Sequence, residues 1–398
     1  MTNNAKNVVI SKGLGPYENT KKVLAHFDFS HLKGKKVLLK PNAGRVAQPE
    51  KGITTHPQVV AAAIDFFREF ASTVAIGESP ISGVKTMEAF EETGIASVAR
   101  DRNCPLLDLD KNKPVITEIP KSITVKSLKI CKEIFEFDYI VSIPVIKTHM
   151  HTGITLAIKN MKGCLWRRSK VLFHMLPEIK GCKEKPIDVA IAEMSTVLKP
   201  HFSIIDGTIC MEGMGPSAGN PRPIDTVIAG ENPFMVDAVT CALIGIDPAS
   251  IPHIRMGAAL NKTTIDLDKI DILPRNWKNY IVAFETSPSS FSIQYPNIIV
   301  HDRNSCSACQ SSLFLFLKQY GKKLLDYFPV ENINIAIGKG NSNLPEKTIC
   351  IGNCTLNNKT KGIYIQGCPP VSSEILRSIT GSEEFDTADG HGQRPIEK

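Results

Sequence analysis

The chain has 398 residues, of which 42% are hydrophobic, and this length suits two or more globular domains. Its 47 basic and 40 acidic residues leave a net charge of +7, a mild excess that argues against a nucleic-acid-binding protein and suits an anionic small molecule or an acidic redox partner. No apolar run approaches the about 18 residues that a membrane span needs, so we expect no membrane partner.

Strand-like and helix-like patterns alternate along the first two thirds of the chain. Short apolar runs predict strands at 36–40, 73–76, 139–144, 202–205 and 226–229. Apolar residues at helical spacing predict helices at 57–70, 187–198 and 233–244. Asn232 is the expected N-cap of the last helix, with Pro233 at its first position. This alternation predicts an α/β fold, with a mostly parallel sheet flanked by helices.

Polar side chains directly follow four of these strands. They are Lys40 and Asn42, then Glu78, then Lys147, His149 and His151, and finally Asp206. Ligands of open α/β sheets bind beyond the carboxyl ends of the strands, so we expect these groups to line one crevice. Each of them has an alternative role when taken singly, because a lone Lys or Asp also caps helices or solvates loops.

The segment 144–153 carries the densest chemistry of this half. If the segment is extended, alternation places Lys147, His149 and His151 on one face, where they offer an anion clamp, acid/base groups or metal ligands. A metal site would need a third ligand from elsewhere, for which Glu78 and Asp206 are the candidates. The alternative is a hydrogen-bonded structural turn before a basic helix start.

Three further features follow this segment. Lys159 and Lys162 lie at helical spacing in the stretch 154–162. The loop 206–220 is rich in glycine and either binds a phosphate or carboxylate through its amides or is a plain connection; it matches neither the Walker nor the dinucleotide-binding pattern. Asp237 lies among apolar residues of the helix 233–244, so it either caps a buried group or reaches into the crevice.

The alternation breaks between residues 270 and 300, where Pro- and Ser-containing stretches occur. We therefore expect an α/β domain at 1–275, which contains the crevice, and a smaller cysteine-rich α+β domain at 290–385. The residues 386–398 are expected to form a flexible tail.

Five of the eleven cysteines lie in the last quarter of the chain. Cys306 and Cys309 form a Cys-x-x-Cys pair, Cys354 follows a Gly-Asn turn, and Cys368 belongs to a Gly-Cys-Pro-Pro run. Gathered thiolates usually hold a metal, and Cys-Pro recurs at iron–sulfur ligands. We predict that these four cysteines bind an iron–sulfur cluster of the 4Fe–4S type, whereas Cys350 ends an apolar stretch and points into a core.

Two alternatives to the cluster remain open. Zinc also accepts four thiolates, although its structural sites usually combine two short Cys-x-x-Cys-like pairs and only one is present. The cysteines also suit a site without metal, since buried cysteine is a common core residue. A disulfide framework does not suit the odd cysteine count or an opening segment without an apolar secretory core, and we expect a cytoplasmic location.

A helix is predicted at 313–325, shortly after Cys309. Helix N-termini carry a partial positive charge. Its N-terminal end would therefore stabilise an anionic, thiolate-ligated cluster.

Taken together, the motifs resemble the domain-of-unknown-function family 362. Over residues 36–260 they run in the order Lys40-Pro41-Asn42, Thr55-His56-Pro57, Gly77-Glu78-Ser79, Lys147-Thr148-His149, Thr152-Gly153, Lys159-Asn160, Asp206-Gly207, Glu212-Gly213 and Asp237-Ala238. The resemblance implies an α/β protein of a family that often carries iron–sulfur clusters. This chain looks like the variant with dispersed cysteines rather than the one with an appended ferredoxin-like module. The family implies no reaction.

A shorter run, His151-Thr152-Gly153 followed by Lys159 and Gly163, is loosely similar to a segment of nickel-pincer lactate racemases. The lysine of that segment holds an organometallic cofactor in those enzymes. The similarity implies a shared crevice architecture and nothing about the reaction.

Three functional hypotheses follow. The protein is a redox enzyme or reductase component that exchanges electrons with a donor or acceptor protein, or it only carries electrons or binds a ligand, or it is a non-redox enzyme with a structural zinc site. For acid/base work we assign Lys147, His149, Glu78 and Asp206. For contact with an anionic ligand we assign Lys40, Asn42, His151, Lys159 and Asp237.

Overall fold

The computed structural model describes residues 7–81, 83–286, 297–328, 332–370 and 372–381. The chain divides into two compact units, Met1–Ser287 and Pro288–Lys398. The first unit is thus longer than the expected 1–275. The tail predicted at 386–398 lies outside the described residues.

One large mixed sheet forms the centre of the first unit. Its ten strands are β1 (Asn7–Lys12), β2 (Lys36–Pro41), β3 (Thr73–Glu78), β4 (Leu106–Asp108), β7 (Tyr139–Ile143), β8 (Val145–His149), β9 (Gly153–Thr155), β10 (Phe202–Glu212), β11 (Asn220–Gly230) and β12 (Asp271–Leu273). The strand order is β12-β1-β11-β10-β7-β2-β3-β4, and β8 pairs with the distal part of β10 and with β9. The remaining two strands, β5 (Val115–Glu118) and β6 (Ser127–Ile130), form a separate antiparallel hairpin.

The predicted parallel arrangement holds for the half of the sheet that carries the predicted crevice. Strands β10, β7, β2, β3 and β4 run parallel to their neighbours in this half. Strand β11 pairs antiparallel with both β10 and β1, so the strand predicted at 226–229 is longer than expected and reversed. A reversed strand is possible there because β10 and β11 form a hairpin, which needs no crossover helix.

This hairpin occupies much of the segment 206–220, for which the sequence predicted a glycine-rich loop. Residues 206–212 belong to β10 and Asn220 begins β11, so that residues 213–219 connect the two strands. The amide of Gly213 donates to the carbonyl oxygen of Glu285, and the amide of Gly215 donates to the carbonyl oxygen of Gly213. A Cβ on Gly215 would lie 1.9 Å from the carbonyl oxygen of Thr148. Glycine is therefore needed there for close backbone packing, and these two amides are not available to a phosphate.

Helices cover both faces of the large sheet. They are α1 (Pro16–Leu24), α2 (Pro57–Phe67), α3 (Thr86–Glu92), α4 (Ile95–Asp101), α5 (Ala157–Asn160), α6 (Ser169–Leu172), α7 (Pro186–Met194), α8 (Pro233–Leu243) and α9 (Pro252–Leu260). The side chains of β2 alternate between two cores, because Val37 and Leu39 pack into one cluster and Leu38 into another. The helix predictions are confirmed apart from their ends, and Asn232 caps α8 by accepting from the amides of Phe234 and Met235.

The second unit contains a smaller sheet that is entirely parallel. Its strands lie in chain order, β13 (Ile298–Asp302), β14 (Ile333–Ile337), β15 (Ile349–Ile351) and β16 (Tyr364–Ile365). Two helices, α10 (Ser307–Tyr327) and α11 (Ser372–Thr380), pack with the sheet around a core that includes Phe316 and Ile335. In its described part, this unit therefore contains a parallel sheet that packs with helices, whereas the sequence predicted a smaller α+β domain.

None of the helices in the described ranges is long and apolar enough to cross a membrane.

Candidate functional site

The four predicted cluster cysteines lie beyond the carboxyl ends of the parallel strands of the second unit. The chain reaches Cys306 after β13, Cys354 after β15 and Cys368 after β16. Cys306 is the N-cap of α10, and Cys309 lies in the first turn of that helix. Because parallel strands end at one edge of a sheet, three separate segments bring four thiols to the same edge.

These four thiols influence one another electrostatically. A hydrogen bond with Cys306 is the largest cause of the raised pKa of Cys309, followed by burial and by the proximity of Cys306, Cys354 and Cys368. Burial, Cys306 and Cys368 also raise the pKa of Cys354. Cys309 and Cys354 therefore keep their protons at neutral pH unless a bound cation neutralises the thiolates.

Cys350 lies apart from this group, although only four positions separate it from Cys354. Its side chain is fully buried, packs with Ala336 and Leu344, and donates a hydrogen bond of 3.5 Å to the carbonyl oxygen of Asn358. Burial alone raises its pKa. The structure thus brings together the four cysteines selected from the sequence and leaves Cys350 in a core.

Two of the cysteine loops are tied together by their backbones. The amide of Asn353 donates to the carbonyl oxygen of Gly367 at 2.7 Å, and the amide of Gly367 donates to Asn353 Oδ1 at 2.9 Å. Gly352 has a φ of 91°, and a Cβ there would lie 3.5 Å from Cys309 Sγ. The missing side chain leaves the space beside this sulfur open, which a bulky inorganic group requires.

Helix α10 begins at Ser307, earlier than the predicted residue 313. Its N-terminal end therefore contains Cys309 instead of following it, and the partial positive charge of that end acts directly on the thiols. The hydroxyl of Ser312 donates to the carbonyl oxygen of Pro370 at 2.5 Å, which holds the Gly-Cys-Pro-Pro run against the helix.

Zinc and an iron–sulfur cluster make different demands on the spacing of these thiols. Within the ranges given above, no three His, Cys, Asp or Glu side chains converge closely enough to hold a single metal ion. Structural zinc would draw four sulfurs to about 2.3 Å from one point. A cluster binds its thiolates through different iron atoms and accepts a wider arrangement.

In the first unit, a buried ion pair joins the ends of β2 and β3. Lys40 Nζ lies 2.8 Å from Glu78 Oε2, and both side chains are almost completely buried. Glu78 also accepts from the amides of Ala43 and Ser79, and Lys40 Nζ donates to the carbonyl oxygen of Pro41. The pair is therefore well supplied with hydrogen bonds, as a buried pair must be.

An amide network extends this pair toward β8. Asn160 Oδ1 accepts from Lys40 Nζ at 3.1 Å and from Asn42 Nδ2 at 3.0 Å. Lys147 Nζ donates to Asn42 Oδ1 at 2.9 Å and to the carbonyl oxygen of Ile53 at 2.6 Å. The predicted crevice residues Lys40, Asn42, Glu78 and Lys147 thus lie in one connected network.

The other two predicted carboxylates bind backbone amides. Asp206 accepts from the amides of His56 and Thr208, and Asp237 accepts from the amides of Ala157 and Ile158 at the start of α5. Burial is the main reason that the pKa of Asp206 is raised and that of Asp237 reaches about 7. These contacts match the capping alternative, while acid/base work by Asp206 and ligand contact by Asp237 stay predictions.

A group of basic side chains lies next to the network, and we call it the basic cluster. Its members are Lys147 and His149 on β8, Lys159 on α5, Lys162 in the turn that follows, and His174 after α6. Lys162 Nζ lies 2.7 Å from His174 Nε2. The ring of His151, whose centroid is 5.8 Å from that of His149, lies beside the cluster.

Burial and mutual repulsion lower the pKa values throughout the basic cluster. Burial is the largest cause for Lys147, His149, Lys162 and His174, and the charge of Lys159 contributes to all four. Burial also lowers the pKa of Lys159 itself to about 8. Without a bound anion, these side chains therefore bind fewer protons than they would in water. An anion that entered the site would raise their pKa values and cause proton uptake.

Sequence reasoning missed several of these residues as site members. Asn160, Lys162 and His174 join the site through contacts across the fold, and His174 follows no predicted strand end. Lys170 was missed as well, although its Nζ donates to the carbonyl oxygens of Ser79 and Pro80 and so holds the segment after β3. The motif Lys159-Asn160 was the one signal available for Asn160.

A cavity of about 230 Å³ lies elsewhere, between the β5–β6 hairpin and α6. Its walls are mainly apolar and include Ile116, Leu128 and Phe173. No candidate site residue selected from the sequence lines it.

Comparison with known proteins identifies one family and one curated relative. The model of the family described as "Domain of unknown function (DUF362)" matches residues 37–242. A thylakoid-associated protein of Synechocystis sp. is 29% identical over 254 residues, which cover 62% of this chain and 76% of that protein.

Two solved structures show a weak similarity. The lactate racemase apoprotein of Thermoanaerobacterium thermosaccharolyticum has a TM-score of 0.39 and 14% identity, covering 56% of this chain and 54% of that one. A protein of Thermotoga maritima has a TM-score of 0.34 and 17% identity, covering 53% and 55%. The chain therefore spans little more than half the length of each, and at such TM-scores neither bears on function.

Proposed function

We propose that this chain, which belongs to the DUF362 family of domains of unknown function, is an iron–sulfur redox protein. In this proposal Cys306, Cys309, Cys354 and Cys368 hold a 4Fe–4S cluster in the second unit, and the first unit binds an anionic small molecule. The observation that carries the proposal is the grouping of four thiols from three segments at one edge of a parallel sheet.

The proposed cluster, when bound, supplies one-electron transfer to or from a partner protein or a substrate. The surrounding chain contributes electrostatics and shape. The N-terminal end of α10 favours negative charge at Cys306 and Cys309, and Lys339 acts on Cys354 in the same sense. Gly352 leaves room beside Cys309, and the hydrogen bonds between Asn353 and Gly367 keep two of the loops in register.

The proposed anion site uses the positive charge of the first unit. Lys147, His149 and Lys159 belong to the basic cluster, and Asn42 orients Lys147 through a hydrogen bond of 2.9 Å. In this proposal Glu78 and Lys40 act as a structural pair behind the site. Because thiolate ligands must stay reduced, we propose the cytoplasm as the location.

Metal analysis of the anaerobically purified chain tests the cluster. We expect about four iron atoms and four acid-labile sulfides per chain, with visible absorption that bleaches on addition of dithionite. The variant Cys354→Ala should lose most of the iron and the absorption.

The matched control is Cys350→Ala, which removes a cysteine from the same unit that lies in a core and not among the four thiols. It should keep its iron. Stoichiometric zinc in place of iron would establish the structural zinc alternative instead, and equal iron loss in both variants would refute the proposed ligand set.

A further inference from the structure

Lys159 lies at the centre of the basic cluster. It is an electrostatic neighbour of each of the other four members, namely Lys147, His149, Lys162 and His174. These five groups come from β8, α5 and the two segments that follow α5, so the fold brings them together from separate elements. Cations collected in this way repel one another unless a negative charge lies between them.

The carboxylates near the basic cluster already bind other groups of the protein. Glu78, which acts on Lys147, binds Lys40 and two backbone amides. Asp188, which acts on Lys159, has its Oδ1 3.1 Å from Nδ1 of the buried His253. Among the described residues, positive charge that the cluster takes up on protonation is therefore only partly compensated by protein carboxylates.

The cluster also presents hydrogen-bond donors. His149 Nδ1 accepts from the amides of His151 and Thr152, so its neutral ring carries the proton on Nε2 and offers that N–H as a donor. Lys159 Nζ makes one long hydrogen bond, 3.4 Å to Thr155 Oγ1, and retains further N–H groups.

Several members of the basic cluster are enclosed by the protein. Lys147, His149 and Lys162 are 6%, 4% and 8% exposed. A ligand that reached them would itself be shielded from solvent, so electrostatic attraction inside the site would be strong.

We propose that the basic cluster is a binding site for a small dianion, either a phosphate-like group or two neighbouring carboxylates. Lys159 and Lys162 neutralise the two charges, and the Nε2–H of His149 and the remaining donor of Lys147 fix the orientation. This inference rests on the proposed function, because it specifies the anionic ligand of the first unit.

Binding of such a dianion is coupled to proton uptake. The charged and titratable groups that act on Lys159 or on the other cluster members include Lys40, Arg45, Glu78, Lys147, His149, His151, Lys162, Lys170, His174 and Asp188. The pKa of Lys159 is about 8 without the anion, and a nearby negative charge raises it. The affinity should therefore be greatest below pH 8 and fall as the pH rises above 8.

Isothermal titration of the full chain with sulfate and with oxalate tests this inference. Both probes are dianions near neutral pH, and acetate at the same ionic strength serves as the monoanion comparison. Wild-type protein should bind sulfate or oxalate more tightly than acetate and take up protons, which titration in two buffers of different ionisation enthalpy measures. Lys159→Gln should weaken binding about tenfold or more, because it removes a charged donor.

The control is Lys22→Gln, which removes the same charge from an exposed position on α1. It should bind the dianions like wild type, and thermal melting of both variants verifies that they are folded. No binding of either dianion, equal affinity for acetate, or equal losses in both variants would each overturn the inference.

A further titration with Cys368→Ala separates this inference from the proposed cluster. Sulfate binding that persists in an iron-free Cys368→Ala chain would support the anion site independently of the cluster. An iron-loaded wild-type chain that binds no dianion would refute the anion site alone.

Discussion

Lys159 places a positive charge where the fold already holds four other basic groups. Burial lowers its pKa from the ordinary 10.5 to about 8. A cationic group whose pKa is lower in the folded chain than in the unfolded chain destabilises the folded state while it is charged. Such a cost is common at ligand sites, where function and stability compete.

Lys159→Met should therefore stabilise the protein at pH 7, by about 1–3 kcal/mol. The cost of the buried charge is fully present below pH 8 and disappears as the pH rises toward 10.5, where the unfolded chain loses the same proton. Urea unfolding at pH 7 and pH 10 measures this difference. If Lys159→Met were less stable than wild type at pH 7, and the difference in their free energies of unfolding were the same at pH 10, the predicted cost of the buried charge would be wrong.

The pair of Lys40 and Glu78 makes a second prediction, because the chain contains a matched exposed pair. Lys85 and Glu88 are also 2.8 Å apart, but their side chains are 81% and 58% exposed, against 1% and 2% for Lys40 and Glu78. Lys40→Met leaves a buried carboxylate uncompensated and should cost about 3–5 kcal/mol in the free energy of unfolding. Lys85→Met should cost less than about 1 kcal/mol. Similar costs in denaturant melts would show that the Lys40 pair is solvated.

At the scale of elements, the turn at residues 161–164 packs directly onto the ends of β2 and β3. A Cβ on Gly163 would lie 2.5 Å from Lys40 Nζ and 2.6 Å from Glu78 Oε1. This approach holds α5 and the basic cluster against the amide network. A larger residue at position 163 would therefore press against the ion pair and displace the turn that carries Lys162.

Gly163→Ala should destabilise the first unit by about 1–3 kcal/mol, the usual cost of overpacking, and weaken sulfate binding. Gly44→Ala is the control, since a Cβ there meets no atom within 4 Å. Thermal melting and sulfate titration of both variants measure the two effects. Equal melting temperatures for the two variants would mean that the turn adjusts without cost.

The sequence predicted those elements that have a continuous apolar signal. Strands β2, β3 and β7 and helix α8 are confirmed nearly to the residue, because buried parallel strands read as apolar runs and Asn232 gives a clear helix start. The hairpin of β10 and β11 was not foreseen, because its distal half is polar and its glycines resemble those of a binding loop. Helix α10 begins at Ser307 rather than at the predicted residue 313, because its first residues carry little of the apolar periodicity that predicts a helix.

The site was predictable where residues follow parallel strands. Lys40, Asn42, Glu78 and Lys147 meet because the carboxyl ends of the neighbouring strands β2, β3 and β7 lie side by side and Lys147 follows β7 along the chain. His174 has no such relation to a strand, and its place beside Lys162 depends on how the segment after α5 folds back. The backbone contacts of Asp206 and Asp237 depend on the tertiary fold in the same way.

At the scale of the whole molecule, each of the two units groups its candidate site residues at the carboxyl ends of its own parallel strands. The family model matches residues 37–242, which lie within the first unit, so the four thiols of the second unit lie outside the matched region. The claim that the chain holds a cluster therefore depends on the second unit alone.

Electron paramagnetic resonance of the chain, recorded before and after anaerobic reduction with dithionite, tests that claim most directly. We expect a silent oxidised sample and, after reduction, the signal of a reduced 4Fe–4S cluster, which is absent from Cys368→Ala and retained by Cys350→Ala. A chain that contains stoichiometric zinc and gives no signal in either state would contradict it.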